Sequence, residues 1–470
     1  MTAARMSLPS RVFAPVHALP AVWQRVVLIV VIGLLVLVMN YRYAEKANKP
    51  SELGTQTRTA FLRWREQIQG LERGEDIYKL YNYPNPPIQA LILFPLTKLP
   101  PIVGGLTWLN LKVLMAGAAL VWAFRIVTDL GRTFPPYEMP ITVIFSLHPI
   151  LGDLSHGNVN IFIAFLLIGS LEAYRRGWDL TTGLALALAI ACKVTPALFV
   201  PYFGWKWVWN IVSEARAGRS PVAAACGPAG KVLAGCVVGL GLWLFVVPGA
   251  VLGWERNTTL LTSWYEGMVH PFLVEGKVTS EEASQSIPGV VFRLLTHEPS
   301  KKEFDLKDGR VKSEEFHNFV DIGHDAAHWV IRGCQVLFVL GVVGLCRAPT
   351  GPTAPRQGVR LSAEFAYVIL GMLLFSERTW KHHGVTLIVV YASLAAFWLF
   401  RPSSIAMRVY IGATYSAVAA LILAPSFFGG HTQDVMMTYG SHTCVFLLLT
   451  TAVCVVMWYE NRAGGRPVVE

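Results

Sequence analysis

The sequence predicts an all-α protein that crosses a membrane many times. Three observations carry that prediction. Hydrophobic residues make up 53% of the 470 positions and charged residues only 15%, with a mean hydropathy of +0.46. Several apolar runs reach the roughly 20 residues that a helix needs to span a bilayer. Lys and Arg gather in alternate connections, as cytoplasmic loops require.

The runs, taken in order, give about twelve passes, two of them short and broken, with long outer loops. They fall at roughly 24–41, 104–127, 139–152, 158–174, 179–192, 195–211, 231–251, 327–346, 361–376, 384–400, 405–424 and 440–459. The first is followed by Tyr41-Arg42-Tyr43 rather than by a small-residue cleavage site, so it reads as a retained anchor behind a cytoplasmic tail, 1–22. With that tail inside, Arg125, Arg132, Arg175, Arg176, Lys206, Arg216, Arg219, Lys231, Arg347, Arg356, Arg360, Arg401, Arg408, Arg462 and Arg466 all fall on the same side. The net charge of +10 is therefore mostly topology, and its placement argues against a nucleic-acid partner.

The opposite side holds two long loops, 42–99 and 253–325, and most of the Asp, Glu and His residues. No repeat is visible and no soluble part has its own core, so 1–470 reads as one integral membrane domain. The seven cysteines lie in apolar runs or, for Cys226, in a cytoplasmic loop. They read as small packing residues, with no metal-ligand spacing.

In the first outer loop, Phe61, Leu62, Trp64, Ile68 and Leu71 recur at about helical spacing, which suits a helix lying along the membrane surface. Tyr83-Pro84-Asn85-Pro86-Pro87 then forms a rigid bend, because three prolines in four residues cannot be helix interior. The charged insert from His297 to Asp325 reads as a solvated excursion.

The chemistry-bearing segments lie at the outer edge. His156-Gly157-Asn158 turns into one apolar run, and Lys193-Val194-Thr195-Pro196 closes the next. A lysine and a helix-breaking proline at membrane depth need partners or a watery cavity, which marks a functional site. Snorkelling to the surface is the plainer role for Lys193. Asp76 and Asp153 have an equally plain role as caps. His382 and His383, beside Trp380, suit the membrane interface, as do Trp64 and Tyr78, which also offer faces for stacking on sugar.

In order along the chain stand GEDIY, YPNPP, HGNVN, CKVTP, SQSIPGVVFRLL and SERTWKHH. This series resembles glycosyltransferase family 87, the DUF2029 group of polyprenol-phosphate-mannose-dependent mannosyltransferases, with its G-x-D-L-Y, Y-P-P, G-Q-x-N, lysine before P-T-P, N-Q-S-x-x-G and S-P-x-S-W-x-H-H patterns. The resemblance runs from Gly74 to His383. It implies a GT-C fold with an outward-facing cavity, a sugar donor on a polyprenyl monophosphate, and a lipid or glycan acceptor. It places the protein in a bacterial inner membrane with a periplasmic active face.

Transfer with inversion needs a carboxylate to take the acceptor's proton and cations around the leaving phosphate. No cofactor or metal is required, since Lys, Arg and His hold a single phosphate. The residues expected to catalyse are Asp76, Asp153, His382 and His383. Those expected to bind substrate are His156, Asn158, Lys193, Gln285, Arg293, Arg378 and Lys381.

The chain departs from the family pattern where the first-loop Asp is expected: counting back from Gly74 reaches Thr59-Ala60-Phe61-Leu62. Glu66, Asp76 or Asp153 is then the substitute. The asparagine of N-Q-S is Ser284, and the proline of S-P is Glu377. Three other readings stay open: a non-catalytic relative that binds the lipid-linked sugar, a transporter, and a transferase using another sugar.

Overall fold

In the computed structural model, residues 20–48, 59–129, 140–218, 220–304, 311–349, 351, 354–401 and 403–462 are described. Most of the tail 1–22 and the middle of the charged insert lie outside them.

The protein is a multi-pass helical membrane protein. Every anticipated run has a helix. α1 spans Ala21–Asn48. The first outer loop contributes α2, Ala60–Gln69, α3, Ile77–Tyr81, and α4, Pro87–Thr97. Then come α5, Pro101–Val127, α6, Pro140–His156, α7, Asn160–Arg175, α8, Asp179–Cys192, and α9, Phe199–Arg216.

α10, Pro228–Gly241, runs through a π-helical turn into Val247–Leu252. The second outer loop holds α11, Trp254–Met268, and α12, Ile287–Leu295. The remainder is α13, His324–Leu345, α14, Val359–Leu374, α15, Ile388–Phe400, entered through a 3₁₀ segment at Lys381–Leu387, α16, Ile405–Phe428, α17, Gly430–Thr438, and α18, Ser441–Arg462.

Six of the described helical segments are long and apolar enough to cross a membrane: Pro101–Val127, Pro228–Leu252, His324–Leu345, Lys381–Phe400, Ile405–Ala424 and Ser441–Arg462. α14 is buried along almost its whole length and α15 over most of it. A helix that is apolar all round belongs at the centre of a bundle, and these two form the core that the others surround. α8 and α10 approach closely through Gly183 and Gly235. A Cβ on either would strike the other helix's backbone, the use of small residues expected between membrane helices.

The surface helix foreseen in the first loop turns inward. Phe61, Leu62, Trp64, Ile68 and Leu71 are all buried, in a cluster with Leu93 of α4, Trp108 of α5 and Phe162 of α7. The five apolar residues cover protein, so α2 is part of the outer cap's core. The proline run starts α4, where a missing N–H costs nothing. The charged insert contains a two-stranded antiparallel hairpin, β1 Lys301–Phe304 and β2 Val311–Glu315, with β2 fully exposed.

The bundle has two polar ends. At one, Glu172 takes Arg175 and Arg176, Arg356 pairs with Asp179, and Arg401 joins Asp129 and Glu460. Lys206 pairs with Glu364, 2.7 Å away and fully buried. These are residues of the loops foreseen as cytoplasmic. The histidines gather at the other end.

Candidate active site

The second end is organised around a buried ion pair. Lys112, in the middle of apolar α5, places Nζ 3.1 Å from Asp153 Oδ2, and neither side chain has any exposure. Lys112 also donates to the backbone oxygens of Asp153 (3.0 Å) and Asn158 (2.9 Å). Asp153 accepts from Asn160 Nδ2 (2.9 Å) and from the Ile161 N–H at the start of α7 (3.4 Å). Two charges at this depth persist only when each is matched and hydrogen-bonded. The pair therefore fixes the HGNVN turn against α5 and α6.

From this pair a chain of side chains leads outward. Asn160 Oδ1 accepts from Lys193 Nζ at 2.7 Å, and Lys193 Nζ lies 3.2 Å from His383 Nε2. Lys193 ends α8 in an extended conformation (φ −160°), where Thr195 and Pro196 start a 3₁₀ turn. In parallel, Asn158 Nδ2 meets His382 Nε2 at 3.0 Å. His156 stacks obliquely on His382, with ring centroids 5.2 Å apart. Asn158 Oδ1 accepts from the Val159 N–H, so its Nδ2 is the donor and His382 Nε2 the acceptor.

His383 is constrained from both sides. Its Nδ1 accepts the Trp380 backbone N–H at 3.3 Å. The ring also hydrogen-bonds the backbone of Arg378, and its Nε2 faces the Lys193 ammonium. Lys193 Nζ thus sits between Asn160 Oδ1 and the His383 ring. The indole Nε1 of Trp380, whose ring lies near-parallel to His383, is buried without a partner among the described residues.

These groups border a cleft. Its polar lining is Asn160, Lys193, Thr195, Ser376, Thr379, His383 and Thr386, and its apolar lining Ile163, Met372 and Leu373. Among the described residues, no three His, Cys, Asp or Glu side chains converge as metal ligands.

The other expected residues are placed as follows. Gln285 is fully buried. Its Nε2 donates to Glu282 O and Met437 O, its Oε1 accepts the His442 N–H, and its own N–H bonds Thr379 O at 2.7 Å. It stitches the 376–383 loop to α12 and α18. Arg293, also fully buried, donates to the carbonyls of Thr438, Ser280, Glu281, Ser284 and Met437. Burial lowers its pKa to about 10, with Glu282 opposing.

Arg293 spends its donors inside the fold. Lysine cannot reproduce that fork, and each orphaned carbonyl costs about 1–3 kcal/mol. Arg293→Lys should therefore lower the melting temperature clearly in a thermal unfolding scan.

Asp76 caps α3, accepting from the Tyr78 and Lys79 N–H groups, and takes the Ser263 hydroxyl at 2.6 Å. That places it against α11, apart from the histidines. Arg378 is about half exposed and lies 3.0 Å from Glu377. Lys381 forms no hydrogen bond or ion pair among the described residues. It lies within electrostatic range of His148, His156, His382 and His442. The sequence reading does not find Lys112, His148 or His442. A lone lysine inside an apolar span is the signal that marks the first.

The model of glycosyltransferase family 87 matches residues 83–377, more than half of the chain. The chain belongs to that family. The match runs from the proline bend before α4 to the loop after α14, so it takes in the buried pair, Lys193 and the cleft's wall. A curated relative is the polyprenol-phosphate-mannose-dependent alpha-(1-2)-phosphatidylinositol mannoside mannosyltransferase of Mycolicibacterium smegmatis. It is 29% identical over 130 residues, covering 25% of this family 87 chain and 29% of that protein. The match thus spans under a third of the relative's length. Among solved structures, ArnT from Cupriavidus metallidurans bound to undecaprenyl phosphate aligns with a TM-score of 0.43 at 14% identity, over 93% of this chain and 78% of that one.

Proposed function

We propose that this family 87 protein is a membrane glycosyltransferase of GT-C type, moving a hexose, mannose foremost, from a polyprenyl-phosphate donor to a lipid or glycan acceptor. Its active face is the periplasmic side of a bacterial inner membrane. The observation that carries the reading is the Lys193 ammonium, set between Asn160 and His383 in the lining of a cleft that also includes the apolar Ile163, Met372 and Leu373. A cation at the membrane edge suits an anion, and apolar lining beside it suits a hydrocarbon chain. A polyprenyl phosphate supplies both. Family membership and the relative's dependence on polyprenol-phosphate mannose point the same way.

In this reading Lys193, His383 and the Trp380 indole hold the phosphate as it leaves with growing charge. Asn160, backed by Asp153 and Lys112, holds Lys193 in place. Asn158 sets His382 with its proton on Nδ1, aimed away from Asn158 as a further donor. Gln285 holds the loop that carries His382 and His383, and Arg293 holds the segment that carries Gln285. Lys381, with no ion-pair partner among the described residues, adds positive charge at the mouth.

The non-catalytic alternative draws on one observation: Asp153, a carboxylate within electrostatic range of His156 and His382, is sealed from solvent. The test is label transfer from short-chain polyprenyl-phosphate mannose to a membrane-lipid extract by the purified full chain. Transfer supports the enzyme. Donor binding without transfer supports the binding relative, and neither binding nor transfer contradicts the donor assignment.

A further inference from the structure

We propose that Glu377 is the catalytic base, taking the proton from the acceptor hydroxyl. The inference rests on the transferase reading above and names the group that reading still lacks. Glu377 sits in the loop between α14 and the 3₁₀ segment that opens α15. Ser376 and Thr379, on either side of it, both line the cleft with Lys193 and His383.

Thr279 Oγ1 donates to its Oε1 at 2.6 Å, and Arg378 Nε lies 3.0 Å from the same oxygen. Among the described residues Oε2 accepts no hydrogen bond. The side chain is 29% exposed. One oxygen is therefore anchored while the other stays open, which is the geometry a base requires. Burial raises the pKa of this carboxyl and nearby Glu281 adds to the rise, against the lowering by Thr279 and Arg378. A raised pKa makes the carboxylate a better proton acceptor.

The competing carboxylates are committed elsewhere. Asp153 has no exposure and holds Lys112, Asn160 and the Ile161 N–H. Asp76 caps α3 and binds Ser263. Glu66 is exposed on α2, whose buried face packs into the outer cap. Glu377 also occupies the position where the family pattern has proline, so the same chain that lacks the first-loop Asp gains a carboxylate in the loop whose Ser376 and Thr379 line the cleft.

The step balances without a further reactant. The acceptor oxygen forms a bond to the anomeric carbon as that carbon's bond to phosphate oxygen breaks. The hydroxyl proton passes to Glu377, and the phosphate leaves on its lipid with the bonding pair.

The test measures label transfer and donor binding side by side, using short-chain polyprenyl-phosphate mannose and a membrane-lipid extract. Glu377→Gln keeps an acceptor for Thr279 but cannot take a proton. It should lower kcat by about 10²–10⁴-fold with donor Kd within twofold of native, and Glu377→Asp should regain part of the rate. Glu377→Gln transferring within threefold of native overturns the proposal, and so does a parallel loss of donor binding. A native chain that binds donor without transferring overturns the base while leaving the donor site standing. A native chain that does neither overturns the functional reading itself.

Discussion

Replacing Lys193 with methionine should weaken binding of a short-chain polyprenyl phosphate by about 10- to 100-fold, because a charge-assisted hydrogen bond contributes about 1.5–3 kcal/mol. The variant keeps the apolar stem and loses only the ammonium. Its cost to folding is small, since Nζ bonds only Asn160 and faces His383. The loss should fall on the phosphate and spare the lipid: an unphosphorylated prenol of equal length should bind native and variant alike. Isothermal titration in detergent with both ligands checks this. Equal weakening for prenol and prenyl phosphate would assign Lys193 a packing role.

Replacing Lys112 with methionine should cost about 3–5 kcal/mol of stability, the typical penalty for leaving one partner of a buried pair uncompensated. Asp153 would retain Asn160 and the Ile161 N–H but lose its only charged partner in contact. The double variant Lys112→Met with Asp153→Met removes both charges and should regain most of that stability. It should not regain transfer, because Asn160 would lose the carboxylate that holds its amide, and Lys193 leans on Asn160. Thermal inactivation followed with donor binding separates the two effects. A double variant that is both stable and active would mean the pair serves folding alone.

The helices were legible because apolar runs of bilayer length leave few alternatives, and their order along the chain followed from loop charge. The outer cap was harder. The periodicity of Phe61, Trp64 and Ile68 reveals a helix but not what covers its apolar face, and here that face meets α4, α5 and α7. The HGNVN, CKVTP and SERTWKHH segments were visible as polar interruptions of apolar runs, and the structure brings Asn158, Asn160, Lys193, His382 and His383 together.

What sequence could not separate is a polar group that faces substrate from one that fastens the loop. Gln285 and Arg293 stand out equally as buried-motif residues, yet their bonds run to backbone oxygens of α17 and the Thr379 loop and to a backbone N–H of α18. Those contacts join residues about a hundred or more positions apart, and no local pattern encodes them. Lys112 lacks a motif altogether. Only its solitude in an apolar span marks it.

The most direct measurement is a cryo-EM structure of the full chain with a short-chain polyprenyl phosphate. The account predicts phosphate density within hydrogen-bond distance of Lys193 Nζ and His383 Nε2, with the prenyl chain along Ile163, Met372 and Leu373. Phosphate seated elsewhere, such as in the groove that Lys79, Thr258 and Ser263 line, with the Lys193 cleft empty, would contradict it.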